Sequence, residues 1–250
     1  MKRILAIALA ACAAVMQNAG AQDYEREQRW ASQIVPSLVV GDAVMIRSPH
    51  GRDFLGIYTE PRGSKVAVLL VHGVGVHPDH GVIGVLRVAL ADAGYTTLSI
   101  QMPVQGPDAK LEDYYPKVFA DAVGRIRAAG RYLLDRGHAK VVLLSHSMGS
   151  WMSNVYYDEN AESPFAAWVC MGLTGRFGGM RNVRVPVLDA YGEHDLPNVL
   201  RAERSRAGVL ESLPGSRQAK IAGADHHFTG REKELAAAVR AFIEQQLVKR

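Results

Sequence analysis

Residues 141–149 read Val-Val-Leu-Leu-Ser-His-Ser-Met-Gly, an apolar β-type run that ends on a serine held between small residues. This is the outline of a nucleophile elbow, G-x-S-x-G. There the serine occupies a strained turn between strand and helix, so the residues two before and two after it must be small. Gly149 fills the second of these positions, and Ser145 stands where the first glycine is usual. Ser147 becomes a candidate nucleophile if the rest of the chain supplies a base, an acid and an oxyanion site in workable order.

Outward from this stretch the chain alternates strands and helices. Val66–Val71 is a continuous apolar run suited to a strand buried on both faces. Residues 82–93 read as a helix and 96–102 as the next strand. Residues 111–135 form one apolar helical face through Tyr115, Phe119, Ala122, Ile126 and Leu133, with Pro116 in its first turn. Beyond the elbow come a helix over 148–157, strands over 166–171 and 185–191, a helix over 199–213, a short strand over 218–221 and an amphipathic helix over 233–248. Ahead of this series, residues 34–60 read as antiparallel strands broken by Gly41, Gly51 and Arg52, preceded by a polar stretch from Gln22 to Gln33. The pattern predicts an α/β fold with a mostly parallel central sheet, antiparallel N-terminal strands and helices on both faces. Between the elbow and residue 185 there is room for one βα unit and a modest loop, so no large cap domain is expected.

Serine is a weak nucleophile at its own pKa and needs a base, itself oriented by an acid. Asp195 lies just past a strand in Tyr191-Gly-Glu-His-Asp195, and His226 just past the last strand in Gly223-Ala-Asp-His226. Groups at the carboxyl ends of adjacent parallel strands converge despite separations of 48 and 31 residues. For an oxyanion site, His72-Gly-Val-Gly75 follows the strand ending at Val71, which makes the amides of Val74 and Met148 the candidate donors.

With these residues in view the chain resembles the α/β-hydrolases from residue 66 to its end. The resemblance is carried by Val-Leu-Leu-Val-His-Gly at 68–73, Leu-Leu-Ser-His-Ser-Met-Gly at 143–149, Tyr-Gly-Glu-His-Asp at 191–195 and Gly-Ala-Asp-His at 223–226. The order Ser147, Asp195, His226 is the order of that superfamily's triad. Within it, His77-Pro-Asp79 and Leu98–Val104 are similar to a bacterial family of secreted hydrolase-like proteins of unassigned function. The resemblance implies an acyl-enzyme mechanism on a small-molecule acyl substrate, a carboxylic ester first, without a cofactor. The alternative is a binding or envelope-interaction protein that keeps the fold without the catalysis.

Rivals stand beside several of these residues. Glu193 competes with Asp195 as the acid and His227 with His226 as the base, whereas Asp189, six residues back along its strand or about 20 Å, is too distant. Asp195 also has the alternative of capping a helix that begins near Leu196 and Pro197. Asp225 reads as a loop residue, and His72, His77, His146 and His227 as candidate pocket residues. His72, His77, Asp79 and His80 are of metal-ligand type but lack regular ligand spacing, so no metal site is assigned to them. Cys170 and Trp151 read as core.

The N-terminus bounds the setting. Lys2 and Arg3, the apolar stretch Ile4–Met16 and the small residues Ala19-Gly-Ala21 form a secretory signal, with cleavage expected after Ala21 and a periplasmic or secreted product. Thirteen apolar residues are too few to span a bilayer, so no stable membrane insertion is expected after processing. Leu9-Ala-Ala-Cys12 has the outline of a lipobox, but only five apolar residues precede Leu9 and the stretch continues past Cys12. Residues 22–250 then form a single domain of 229 residues carrying 27 basic and 25 acidic groups, a net charge of only +2. Without a basic stripe interleaved with aromatics, nucleic acid is not an expected partner. One cysteine remains, which excludes an intramolecular disulfide and leaves stability to the core.

Overall fold

The computed structural model describes residues 22–49, 52–160, 162–174 and 182–248. The expected signal segment and the Cys12 motif lie outside the described residues.

Among the described residues, eight strands form one sheet in the order β1-β2-β4-β3-β5-β6-β7-β8. They are β1 Asp42–Arg47, β2 Asp53–Thr59, β3 Ala67–Val71, β4 Thr96–Ile100, β5 Val141–His146, β6 Phe165–Met171, β7 Val187–His194 and β8 Arg217–Asp225. The β1–β2 and β2–β4 pairs are antiparallel and all others are parallel. The apolar run at 67–71 is buried on both faces because alternate side chains feed different layers. Leu69 and Val71 join Leu143, Ile126, Met152 and Trp168 on one face. Val68 and Leu70 join Val142, Leu144, Leu86, Leu90, Val239 and Phe242 on the other. Helices α4 (Phe119–Asp135) and α5 (Met148–Glu159) cover the first layer, and α2 (Gly81–Asp92) and α8 (Glu232–Ile243) cover the second.

Strand order reverses around β3, which has β4 on one flank and β5 on the other, with Val71 opposite both Ile100 and Ser145. The loops leaving β3 and β5 therefore diverge from neighbouring strand ends and open a crevice between them, the usual ligand position in open α/β sheets.

Four elements differ from the sequence expectation. The polar stretch after Gln22 is a helix, α1 (Tyr24–Ile34), whose first turn is capped by Asp23 accepting from the Arg26 amide at 2.8 Å. Its buried face carries Glu27 as well as Ile34, and most of its residues are polar, so it reads as a polar stretch. The segment 111–135 is two helices, α3 (Leu111–Tyr114) and α4, rather than one with Pro116 in its first turn. Proline disfavours helical backbone in the residue before it, and Tyr115 is extended, with φ −97° and ψ 133°. The helix expected over 199–213 divides into α6 (Pro197–Arg201) and α7 (Glu203–Leu210), and the short strand at 218–221 is part of the nine-residue β8. Among the described residues no helix is long and apolar enough to cross a membrane.

Candidate active site

Ser147 occupies the turn between β5 and α5 with φ 57° and ψ −123°, a left-handed backbone that a β-carbon disfavours. Its amide donates to the Met171 carbonyl at 2.9 Å, which ties the elbow to the end of β6. The demand for small neighbours has a direct cause at Gly149. A β-carbon there would run into the carbonyl oxygens of Val71 and His72. Ser145 satisfies the other position and is wholly buried.

The ordered candidates come together. His226 Nε2 lies 2.9 Å from Ser147 Oγ, and His226 Nδ1 lies 2.6 Å from Asp195 Oδ1. With the carboxylate accepting from Nδ1–H, Nε2 is left as the acceptor for the serine hydroxyl. Ser147, Asp195 and His226 are 9%, 4% and 7% exposed. Burial alone would raise the Asp195 carboxyl, but the His226 hydrogen bond and charge and the amides of Gly192 and Leu196 hold it below the usual carboxylate range. The same carboxylate thus serves its own turn as well as the imidazole.

The rivals stand outside this chain of hydrogen bonds. Glu193 Oε2 accepts from the Gly223 amide at 2.8 Å on an exposed edge, and the exposed His227 packs beside His226 at 5.2 Å between rings. Asp189 is sealed in the sheet against Arg206 at 2.8 Å and Gln218 at 2.8 Å. Asp225 accepts from the amides of His227 and Thr229, the loop role expected of it.

Two buried histidines set the geometry around Ser147. His146 Nε2–H donates to the His226 carbonyl at 2.8 Å, and its ring lies 5.1 Å from that of His226. Burial pushes its pKa down to about 4, with His226 adding to the effect, so it holds the His226 backbone as a neutral group. His72 accepts from the Met102 amide through Nε2 at 2.9 Å and donates from Nδ1 to the Gly73 carbonyl at 2.8 Å. Its pKa is pushed down to about 3 by complete burial. The Gly73 carbonyl and the Val74 N–H belong to one planar peptide unit, so holding the first aims the second. Gly73 itself lies against the nucleophile, where a β-carbon would stand 3.2 Å from Ser147 Cβ. The other candidate donor, the Met148 amide, is at the first position of α5 and has no carbonyl within its helix to reach.

A cleft of about 240 Å³ opens beside Ser147. Val74, His72, His146 and His227 line it, α2 contributes the apolar wall of Val82, Ile83 and Val85, and His80 and Glu232 stand at the rim. His77 is not in the lining. Its ring is set back between Trp30, at 5.7 Å, and His80, at 5.3 Å. Asp79 is bound by Arg87 at 2.6 Å, and among the described residues no three metal-type side chains converge. Cys170 is buried as a free thiol, and Trp151 packs between Tyr115 and Phe119 at 4.8 and 4.9 Å.

Two features of the site carried no sequence signal. Phe228, two residues after His226, is held at φ 56° with its ring buried, and the base loop turns on it. Helix α1 reaches the loop after β3 through Arg26, whose Nη2 donates to the Gly75 carbonyl at 3.3 Å.

The sequence profile of the alpha/beta hydrolase family matches residues 68–247. The chain belongs to the alpha/beta hydrolase family. Among solved structures, the hydrolase is similar to a dienelactone hydrolase from Anabaena variabilis, at 23% identity over 83% of this chain and 98% of that one, with a TM-score of 0.69. It is similar also to a lidless a/b serine hydrolase from Xanthomonas campestris, at 16% identity over 85% and 98% of the two chains and a TM-score of 0.68. An esterase from Pyrococcus furiosus superposes at 12% identity over 83% of this chain and 93% of that one, with a TM-score of 0.66. No curated protein matches the hydrolase in sequence. Identities this low establish the shared fold and nothing finer.

Proposed function

We propose that this hydrolase cleaves a carboxylic ester of a small molecule through an acyl-enzyme on Ser147. The observation that carries the proposal is the unbroken chain from Asp195 through His226 to Ser147, at 2.6 and 2.9 Å, beside an open cleft. His226 Nε2 takes the hydroxyl proton as Ser147 Oγ attacks the carbonyl carbon, and Asp195 stabilises the imidazolium. The amides of Val74 and Met148 hold the negative charge on the former carbonyl oxygen. The ester C–O bond breaks as His226 returns the proton to the departing alcohol. Water then enters and attacks the acyl carbon as it loses a proton to the same nitrogen, and His226 returns that proton to Ser147 Oγ as the acyl C–O bond breaks and the acid departs. No step draws on a cofactor.

The esterases and the dienelactone hydrolase among the structural neighbours support this reading. A fluorophosphonate probe tests it on purified residues 22–250. Labelling that disappears in Ser147→Ala is the expected result. Labelling that survives the substitution overturns the assignment of Ser147, and no labelling of the wild type favours a binding protein retaining the fold. The proposal includes a cleaved leader ending at Ala21, export to the periplasm or beyond, and a single domain over 22–250. N-terminal sequencing of the exported protein checks the cleavage point.

A further inference from the structure

We infer that α1 belongs to the catalytic apparatus at one remove, with Arg26 as a positioning residue for the loop that presents the Val74 amide. The inference rests on the serine hydrolase reading above.

One guanidinium joins three parts of the chain. Arg26 Nη1 donates to the Gln105 carbonyl in the loop after β4 at 2.8 Å, and Nη2 donates to the Gly75 carbonyl in the loop after β3 at 3.3 Å. The planar head also lies 4.5 Å over the ring of Trp30, one turn further along α1. A fork of fixed geometry stacked on an indole restrains what it binds more tightly than a flexible ammonium would. Gly75 is adjacent to Val74 and adopts φ +67°. The carbonyls on either side of Val74 are therefore both tied, Gly73 by His72 and Gly75 by Arg26.

A clamp needs a rigid base. The Asp23 amide donates to the Val104 carbonyl at 2.7 Å, and Glu27 accepts from the Val104 amide at 3.3 Å. Glu27 pairs with Arg125 of α4 at 2.9 Å, where the two side chains are 8% and 1% exposed. The helix makes a second contact with the same loop through Trp30, whose ring meets His77, which in turn meets the cleft residue His80. A mostly polar helix is thus fastened by buried polar bonds and directed at the loop that faces Ser147.

The test compares wild type with Arg26→Met, Arg26→Lys and a control on the same helix, Arg29→Met. Arg29 is exposed, and its guanidinium pairs with Glu25 at 3.9 Å. The readouts are kcat and KM for p-nitrophenyl acetate, affinity for a boronic acid that forms a tetrahedral adduct on serine, and the thermal midpoint. Slight misplacement of a catalytic group costs up to about a hundredfold, so Arg26→Met should lower kcat about tenfold to a hundredfold. KM should stay within about twofold, because a contact made only in the transition state is lost. Boronic acid affinity should fall in step, Arg26→Lys should recover part of kcat, and Arg29→Met should match wild type. A folded Arg26→Met with wild-type kcat, or with its loss confined to KM, overturns the inference. If that variant does not fold, Arg26→Lys decides: lowered kcat at unchanged KM supports the clamp and wild-type kcat overturns it. Wild type that neither hydrolyses the ester nor takes the probe overturns the hydrolase reading and this inference together.

Discussion

Trp168 Nε1 donates to Ser145 Oγ at 2.9 Å across the β5–β6 pair, with both residues fully buried. The serine that replaces the first glycine of the elbow motif therefore has a partner that glycine could not supply. Ser145→Gly would take this acceptor from the buried indole N–H, a change that typically costs about 1–3 kcal/mol. Urea denaturation should show a loss of about 1–3 kcal/mol while kcat of the folded protein stays within a few-fold of wild type. Unchanged stability would remove this account of Ser145.

The hydrogen-bonded chain at the site ranks its own substitutions. Ser147→Ala and His226→Ala should each lower kcat by about 10⁶, since members of such a unit act together. Asp195→Asn should cost about 10⁴ by disturbing the imidazole tautomer. Glu193→Gln and His227→Gln should change kcat only a few-fold, because Glu193 serves the Gly223 amide and His227 lies beside the base without replacing it. Steady-state kinetics on a short-chain ester separates the two classes, and a large loss at Glu193 or His227 would reassign the acid or the base.

Acid should weaken the fold as soon as pH drops below the ordinary imidazole range. His146 and His72 have folded-state pKa values near 4 and 3 against an ordinary imidazole value of 6.5. Across that window the unfolded chain binds more protons, so stability is full above pH 6.5 and falls as pH drops below it. Each imidazole contributes up to about 1.4 kcal/mol per pH unit. His146→Gln keeps a donor for the His226 carbonyl and cannot titrate. The stability gap between wild type and this variant should shrink as pH falls from 6.5 to 4.5 in chemical denaturation, and a constant gap refutes the assignment.

Gly149 faces backbone oxygens rather than yielding side chains, with the Val71 carbonyl 2.8 Å from where a β-carbon would stand. Gly149→Ala must therefore shift β3 against α5, at a cost of about 1–3 kcal/mol for overpacking. Thermal unfolding checks this, and an unaltered midpoint would show that the two elements have slack.

Much of this was legible in the residues, for a physical reason. The run 67–71 and the elbow strand are buried on both faces, and a strand so placed is written as continuous apolar sequence. Ser147, Asp195 and His226 were legible because each stands immediately after a strand, where parallel topology brings strand ends together. Helix α1 was not, since most of its residues are polar and its buried Glu27 is anchored by Arg125, 98 residues away. The division at Tyr115 was hidden by an apolar period that continues on both sides of Pro116. The placement of His77 behind His80 depends on Trp30, a contact that no local pattern announces.

Ser147 and Phe228 are the described non-glycine residues with left-handed backbone, one being the candidate nucleophile and the other two places beyond the candidate base. Conformations of this kind cost about 1–3 kcal/mol each and persist only where the surroundings impose them. At these two positions the requirements of folding and of reactivity run against each other, and the sheet beneath them must hold the turn in a shape the free chain would avoid. A glycine in place of Ser147 would relax the turn and end the chemistry in the same change, so selection for stability alone would steadily erode this site.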